Sequence, residues 1–219
     1  MSDIPLLAGI ALGSYLLGSL NAAIIISRLL KNDDIRRYGS GNAGMTNMLR
    51  TYGKGLAALT ALGDFLKAAV AIVISRWLIV HCGIYLPLDV GYIAGVGALL
   101  GHLFPVYFRF KGGKGVMTTL GVILCINPAV FAVLALVFVP LIFITRIVSL
   151  GSVLGAVSYP FITWAVLALQ GRPPLYDCLM AAAIALLVII MHKDNIKRLL
   201  NGTENRFGSK KKQEQEEQK

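Results

Sequence analysis

The chain has 219 residues, 56% of them hydrophobic and 15% charged, with a mean hydropathy of +0.71 and a formal net charge of +10. Soluble domains carry about 25% charged residues, so too few polar residues remain for a second, water-soluble domain. The positive charge clusters beside apolar stretches, between Arg28 and Lys54, between Arg109 and Lys114 and after Lys193; this pattern marks a cytoplasmic membrane face and argues against nucleic acid as a partner, because no base-reading or stacking module accompanies it.

In chain order, Met1-Ser-Asp3 lacks the basic start of a signal peptide, and the apolar stretch after it is too long for one. It is expected to remain as a helix. The apolar spans are Ile4–Ser27, Gly55–Val80 (containing Asp64, Lys67 and Arg76), glycine-rich Leu88–Phe104, Val116–Cys125, Ala129–Thr145, Leu150–Leu169 and Leu175–Met191. They predict an all-α, polytopic membrane protein with about seven transmembrane helices. Residues 1–208 are expected to form one membrane domain, and the Lys/Gln/Glu tail at 209–219 a disordered cytoplasmic extension.

The fourth span has 10 residues, about 15 Å of helix, against roughly 30 Å of hydrocarbon. If it turns back, five or six crossings remain. Lys and Arg gather in one set of loops and in the segment after Met191, and the opposite set holds only Arg172. That asymmetry places the amino terminus outside and the carboxy terminus in the cytoplasm, as an odd number of crossings requires. Asp64 and Lys67 stand at i, i+3, where they can pair and lower the cost of burial. Cys82, Cys125 and Cys178 have no metal-binding spacing, and neither a metal nor a cofactor is expected.

Three polar segments hold more glycine and hydrogen-bonding residues than topology requires. The first runs from Tyr38 to Arg50. Its glycines allow successive N–H groups to turn toward one point, as in an anion-binding nest. A helix starting near Asn42 would put Asn42, Thr46 and Arg50 on one face, with Ser40 as an N-cap candidate beside an anion-favouring terminus. The second, Gly101 to Gly115, ends in Lys111-Gly112-Gly113-Lys114-Gly115, which pairs cations with a closely approaching backbone. The nucleotide-triphosphatase spacing is absent from it. The third, His192 to Glu204, is expected to continue the last helix, with His192, Asn195 and Leu199 on one face. His192 aligned with Asn195 is a catalytic candidate; Glu204 suits either chemistry or the fastening of a loop.

As a set, these segments resemble the bacterial acyl-phosphate:glycerol-3-phosphate acyltransferases of the PlsY type. The resemblance rests on Ser40-Gly-Asn-Ala-Gly-Met-Thr-Asn47 with Arg50, on Gly101-His102, Pro105 and Phe110-Lys-Gly-Gly-Lys-Gly-Val116, and on His192-x-x-Asn195-Ile-Lys-Arg-Leu with Gly202-Thr-Glu204, over residues 4–208. Met45 stands where the family commonly has alanine. The resemblance implies a bacterial inner-membrane enzyme of phospholipid synthesis with its active site on the cytoplasmic side. It would move a fatty acyl group from acyl phosphate to the sn-1 hydroxyl of glycerol 3-phosphate, giving lysophosphatidic acid and phosphate. Both substrates carry phosphate and one a long acyl chain, which suits basic glycine-rich loops at the edge of a lipid phase. Membrane lipid and other enzymes of phospholipid synthesis are the further partners it suggests.

On this reading His192, Asn195 and Lys114 are catalytic. Ser40, Gly41, Asn42, Thr46, Arg50, Gly112, Gly113, Gly115 and Ser149 bind substrate, Ser149 on the resemblance alone. His192, oriented by Asn195, serves as general base, or the departing phosphate takes the proton while His192 binds substrate; the residues allow both. The His-x4-Asp motif of other glycerolipid acyltransferases is missing, since Leu86, Tyr107 and Lys197 stand five residues beyond the three histidines. The alternative reading is a transporter for a phosphorylated or other anionic solute. It would use the same basic loops, but no internal repeat of the usual kind is visible.

Overall fold

The computed structural model describes residues 3–207, and among them every regular element is helical. The tail expected at 209–219 lies outside them. Five stretches are long and apolar enough to cross a membrane: Ile4–Lys31, Lys54–His81, Gly91–Phe108, Pro128–Thr145 and Val148–Leu169. A sixth arises if the bent pair Leu175–Met191 and Lys193–Leu200 counts as one. The remaining apolar helix, Val116–Ile126, has 11 residues, short of a full crossing. The chain divides into two compact units, residues 1–128 and 129–219.

The first unit contains α1 (Ile4–Gly18), α2 (Ala22–Lys31), α3 (Met45–Tyr52), α4 (Lys54–His81), α5 (Gly91–Leu103) and α6 (Val116–Ile126). The glycines of α5 do what small residues do in a bilayer, where helices associate by close packing. A methyl group on Gly97 would come within 2.8 Å of the Ala11 carbonyl, and one on Gly101 within 2.7 Å of Ser19 N. On the far side of α5, Gly95 lies against Val122 of α6.

The single first helix expected from the apolar pattern is interrupted at residues 19–21. The Asp64–Lys67 pair supplies the partners that the interruption requires. Lys67 Nζ donates to the Leu20 carbonyl at 3.2 Å, and Asp64 Oδ1 accepts from Ala22 N at 3.3 Å. Asn21 caps the new helix by accepting from Ile24 N at 3.1 Å. In a bilayer, backbone groups freed by a break must be satisfied by protein; two charges on α4 do so here. Arg76 plays the same part at the other end of α4. It pairs with Asp89 and donates from Nη1 to the Cys125 carbonyl at 2.9 Å, so the last turn of short α6 ends on a side-chain donor.

The second unit contains α7 (Pro128–Thr145), α8 (Val148–Leu169), α9 (Leu175–Met191) and α10 (Lys193–Leu200). α8 packs along α9, and α10 touches both. The expected continuous helix through His192 is absent. α9 and α10 meet at 67°, with His192 at φ −100°, ψ 9° between them. The segment after α10 returns to the start of α8, where Phe207 N donates to the Arg146 carbonyl at 2.9 Å.

Candidate active site

In the first unit the two glycine-rich loops are held by side chains that the motif reading underrated. Asn47, 1% exposed, organises the first loop. Its Oδ1 accepts from Ser40 N at 3.1 Å, and its Nδ2 donates to the carbonyls of Ile35, Tyr38 and Asn42 at 3.2, 2.9 and 3.1 Å. The expected nest is therefore turned partly inward: Ser40 N is committed to Asn47, Gly41 N to the Tyr38 carbonyl and Gly44 N to the Asn42 carbonyl.

Two helix expectations are corrected with it. α3 begins at Met45 after Gly44, so Ser40 is not its N-cap and Asn42 lies outside it. Only Thr46 and Arg50 of the expected face are helical. The reason is Asn47, which draws the preceding backbone into a non-helical loop by bonding to it, as Asn side chains do near helix starts. Ser40, Gly41 and Arg50 are exposed, and Asn42 and Thr46 half-buried.

Arg36 fastens the second loop to the first, donating from Nη1 to the Phe108 and Lys111 carbonyls at 2.9 and 3.0 Å. Asp34 binds the same guanidinium through both oxygens at 2.9 and 2.7 Å. That bond and Arg28 hold its carboxyl well below the ordinary carboxylate range, against the opposing effect of burial. Arg36 is thus fixed as a bidentate bracket. Gly113 lies buried at the junction, where a methyl group would come within 2.6 Å of the Ala43 carbonyl and overlap His102 Nε2. Gly112 is half-buried beside it. Lys114 follows, half-buried, and Gly115 at φ +82° turns the chain into α6 without a side-chain cap. A helix N-terminus with a cation beside it is suited to an anion.

In the second unit the chain just after the third polar segment is tied to Arg146, whose carbonyl accepts from Phe207 N. Glu204 fastens a loop: its two oxygens accept from Asn195 Nδ2 at 2.9 Å and Arg198 Nε at 2.8 Å. His192 is 3% exposed, and its Nδ1 lies 2.8 Å from the Val188 carbonyl. A carbonyl only accepts, so Nδ1 carries a proton, and in the neutral ring the lone pair is on Nε2. The backbone of α9 thus supplies an orienting bond to this ring. Ser149 is buried in the first turn of α8, and its hydroxyl has no hydrogen-bond partner among the described residues.

Sequence reasoning passed over two more such hydroxyls. Thr118 and Thr119, in the first turn of α6, bury Oγ1 atoms without partners among the described residues. Two polar residues just after a glycine-rich cationic loop were the available signal. Leaving a buried hydroxyl unpaired costs about 1–3 kcal/mol, so these three positions are polar for a reason that packing does not supply. Among the described residues no cluster of His, Cys, Asp and Glu has metal-binding geometry.

A family model described as glycerol-3-phosphate acyltransferase matches residues 8–202. The chain belongs to this family. It is 42% identical to the glycerol-3-phosphate acyltransferase of Clostridioides difficile (strain 630), over 92% of this chain and 96% of that one. Against the enzyme of Neisseria meningitidis serogroup B the identity is 44%, covering 89% and 94%. Crystal structures of PlsY, an integral membrane glycerol 3-phosphate acyltransferase, superpose with a TM-score of 0.80 in the glycerol 3-phosphate form and 0.77 in the lysophosphatidic acid form. Both are 36% identical and cover 94% and 92% of this chain, and 97% and 95% of theirs. This glycerol-3-phosphate acyltransferase family member is accordingly an acyltransferase of phospholipid synthesis, which sets the transporter reading aside.

Proposed function

We propose that the chain transfers a fatty acyl group from acyl phosphate to the sn-1 hydroxyl of glycerol 3-phosphate in the bacterial inner membrane, releasing phosphate and leaving lysophosphatidic acid. Residues 1–208 form the acyltransferase domain. Seven crossings, with short α6 counted as one of them, put the amino terminus outside and the carboxy terminus and the active site on the cytoplasmic side, as the Lys/Arg asymmetry favours. The observation that carries the reading is the junction of the two glycine-rich loops, bracketed by Arg36, beside Lys114 and the uncapped start of α6. Two substrates with phosphate groups call for such loops.

Little chemistry is needed beyond positioning, because acyl phosphate is already an activated anhydride. The hydroxyl oxygen of glycerol 3-phosphate attacks the acyl carbonyl carbon, and the bond from that carbon to the phosphate oxygen breaks. Lys114 and loop amides stabilise the oxyanion and the leaving phosphate. Ser40, Gly41, Asn42, Thr46, Arg50, Gly112, Gly113, Gly115 and Ser149 hold the substrates, and holding them in register supplies part of the roughly 7–11 kcal/mol that proximity offers. The unpartnered Ser149 hydroxyl supports its place in this set.

His192 Nε2 takes the hydroxyl proton, since its Nδ1 proton is committed to Val188; Asn195 completes the catalytic group. His192→Ala is then expected to lower turnover by about 10²–10⁴-fold, measured as phosphate release. Nearly normal turnover would assign the proton to the departing phosphate. The donor is tested by offering the purified protein acyl-CoA in place of acyl phosphate. Equal rates with the two would remove the donor assignment.

A further inference from the structure

The second loop rests on a buried polar cluster that the acyl-transfer chemistry does not use. Asp64, Lys67 and His102 are 1%, 7% and 4% exposed. Lys67 Nζ lies 2.9 Å from Asp64 Oδ1, 2.9 Å from His102 Nδ1 and 3.2 Å from the Leu20 carbonyl. An ammonium has three donors and no acceptor, and these three neighbours use all of them. One carboxylate balances one ammonium, so the imidazole is neutral, as a buried site at the edge of a bilayer requires. His102 Nδ1 also lies 3.3 Å from Asp64 Oδ1, but its closer neighbour at 2.9 Å is Lys67 Nζ, which can only donate; Nδ1 therefore accepts, and the proton is on Nε2.

That nitrogen is the edge of the ring against which Gly113 packs. A methyl group on Gly113 would overlap Nε2 and come within 2.8 Å of Cε1. The backbone of the same histidine holds the loop from another direction, because Gly113 N donates to the His102 carbonyl at 3.2 Å. The first loop meets this point too. The Ala43 carbonyl, which would lie 2.6 Å from the same methyl group, accepts from Asn21 Nδ2 at 3.3 Å. Asn21 stands in the break between α1 and α2 that Lys67 and Asp64 bridge.

We propose that His102 is a positioning residue: Lys67 and Asp64 lock its ring, and its Nε2 edge sets the height of Gly113 and hence the direction of Lys114. It touches neither substrate nor reacting atoms. The proposal rests on the reading of the Lys111–Gly115 loop as a phosphate site. Position matters at this level because a displacement of about 1 Å costs on the order of 10²-fold in rate.

The test uses the full chain in detergent, with histidine rings labelled with ¹⁵N and inorganic phosphate as the probe. The structure predicts opposite tautomers for the two buried rings, Nε2–H for His102 and Nδ1–H for His192, which separates their signals. His81→Gln removes the third histidine. The expected result is an Nε2–H signal with Nδ1 as acceptor, which shifts on saturation with phosphate in the natural sequence and stays put in Lys114→Ala. His102→Asn, whose amide oxygen still accepts from Lys67 but does not reach Gly113, is expected to lose at least about tenfold in kcat/KM at an unchanged melting temperature.

An Nδ1–H tautomer overturns the proposal. So does a His102 signal unmoved by phosphate that inhibits the enzyme, or one that still shifts in Lys114→Ala. If phosphate neither inhibits nor shifts the ring, the loop is not a phosphate site, and that underlying reading fails with the proposal. Because the ring measurement does not use His102→Asn, it stands even if that variant does not fold.

Discussion

Lys114→Ala is expected to lower turnover by about 10²–10³-fold, the cost of one oxyanion donor, with little change in melting temperature. Three features concentrate the effect on this residue. It follows two glycines that bring the backbone close to a ligand, it is only half-buried, and it directly precedes Gly115, which opens α6 without a side-chain cap. The partial positive charge of a helix start and a full positive charge then act on one anion. Lys114→Arg keeps the charge but replaces a compact ammonium with a planar fork, so it is expected to recover part of the loss. Initial rates of phosphate release check both variants, with a thermal melt of each. Full activity in Lys114→Ala would remove the residue from the site.

Asn47→Ala is expected to cost about 3–4 kcal/mol of stability, at roughly 1 kcal/mol for each of four hydrogen bonds, and to abolish activity. The side chain binds four backbone groups of the first loop from one buried position, so alanine leaves an amide and three carbonyls to find other partners. Asn47→Asp separates this account from simple loss of volume. It is nearly isosteric and keeps an acceptor for Ser40 N, but it turns a carboxylate oxygen toward three carbonyls. It is expected to be at least as damaging as alanine. Thermal melts in detergent measure both. An Asp variant that melts like the natural protein would show that the loop does not depend on the amide donors.

The membrane helices were legible because a bilayer imposes one strong condition, a run of about 20 apolar residues, and local sequence reveals it. The Asp64–Lys67 pair was legible too, since i, i+3 spacing on a helix needs no tertiary knowledge. The partners of that pair were not. That the two residues bridge a break at residues 19–21 depends on contacts more than 40 positions apart in the chain, and the apolar pattern runs through the break unchanged. The bend at His192 was hidden for a similar reason, because helical periodicity continues on both sides of it.

In the polar segments, the residue types pointed to phosphate, but the division of labour among them did not follow. Ser40 looked like a cap and Asn47 like one more polar residue of the motif. The structure exchanges those parts, since an Asn in the first turn of α3 reaches back over the loop and takes the Ser40 amide. Glu204 had two readings, and its bonds to Asn195 and Arg198 select the fastening one. Ser149 rested on resemblance alone, and its hydroxyl is buried without a partner among the described residues.

The central claim is that this chain moves an acyl group from acyl phosphate to glycerol 3-phosphate. Its most direct test is phosphate release by the purified protein in detergent, given acyl phosphate with and without glycerol 3-phosphate. The account predicts release that depends on glycerol 3-phosphate and matches lysophosphatidic acid formation mole for mole. Release at the same rate without glycerol 3-phosphate, or none with it, would contradict the account.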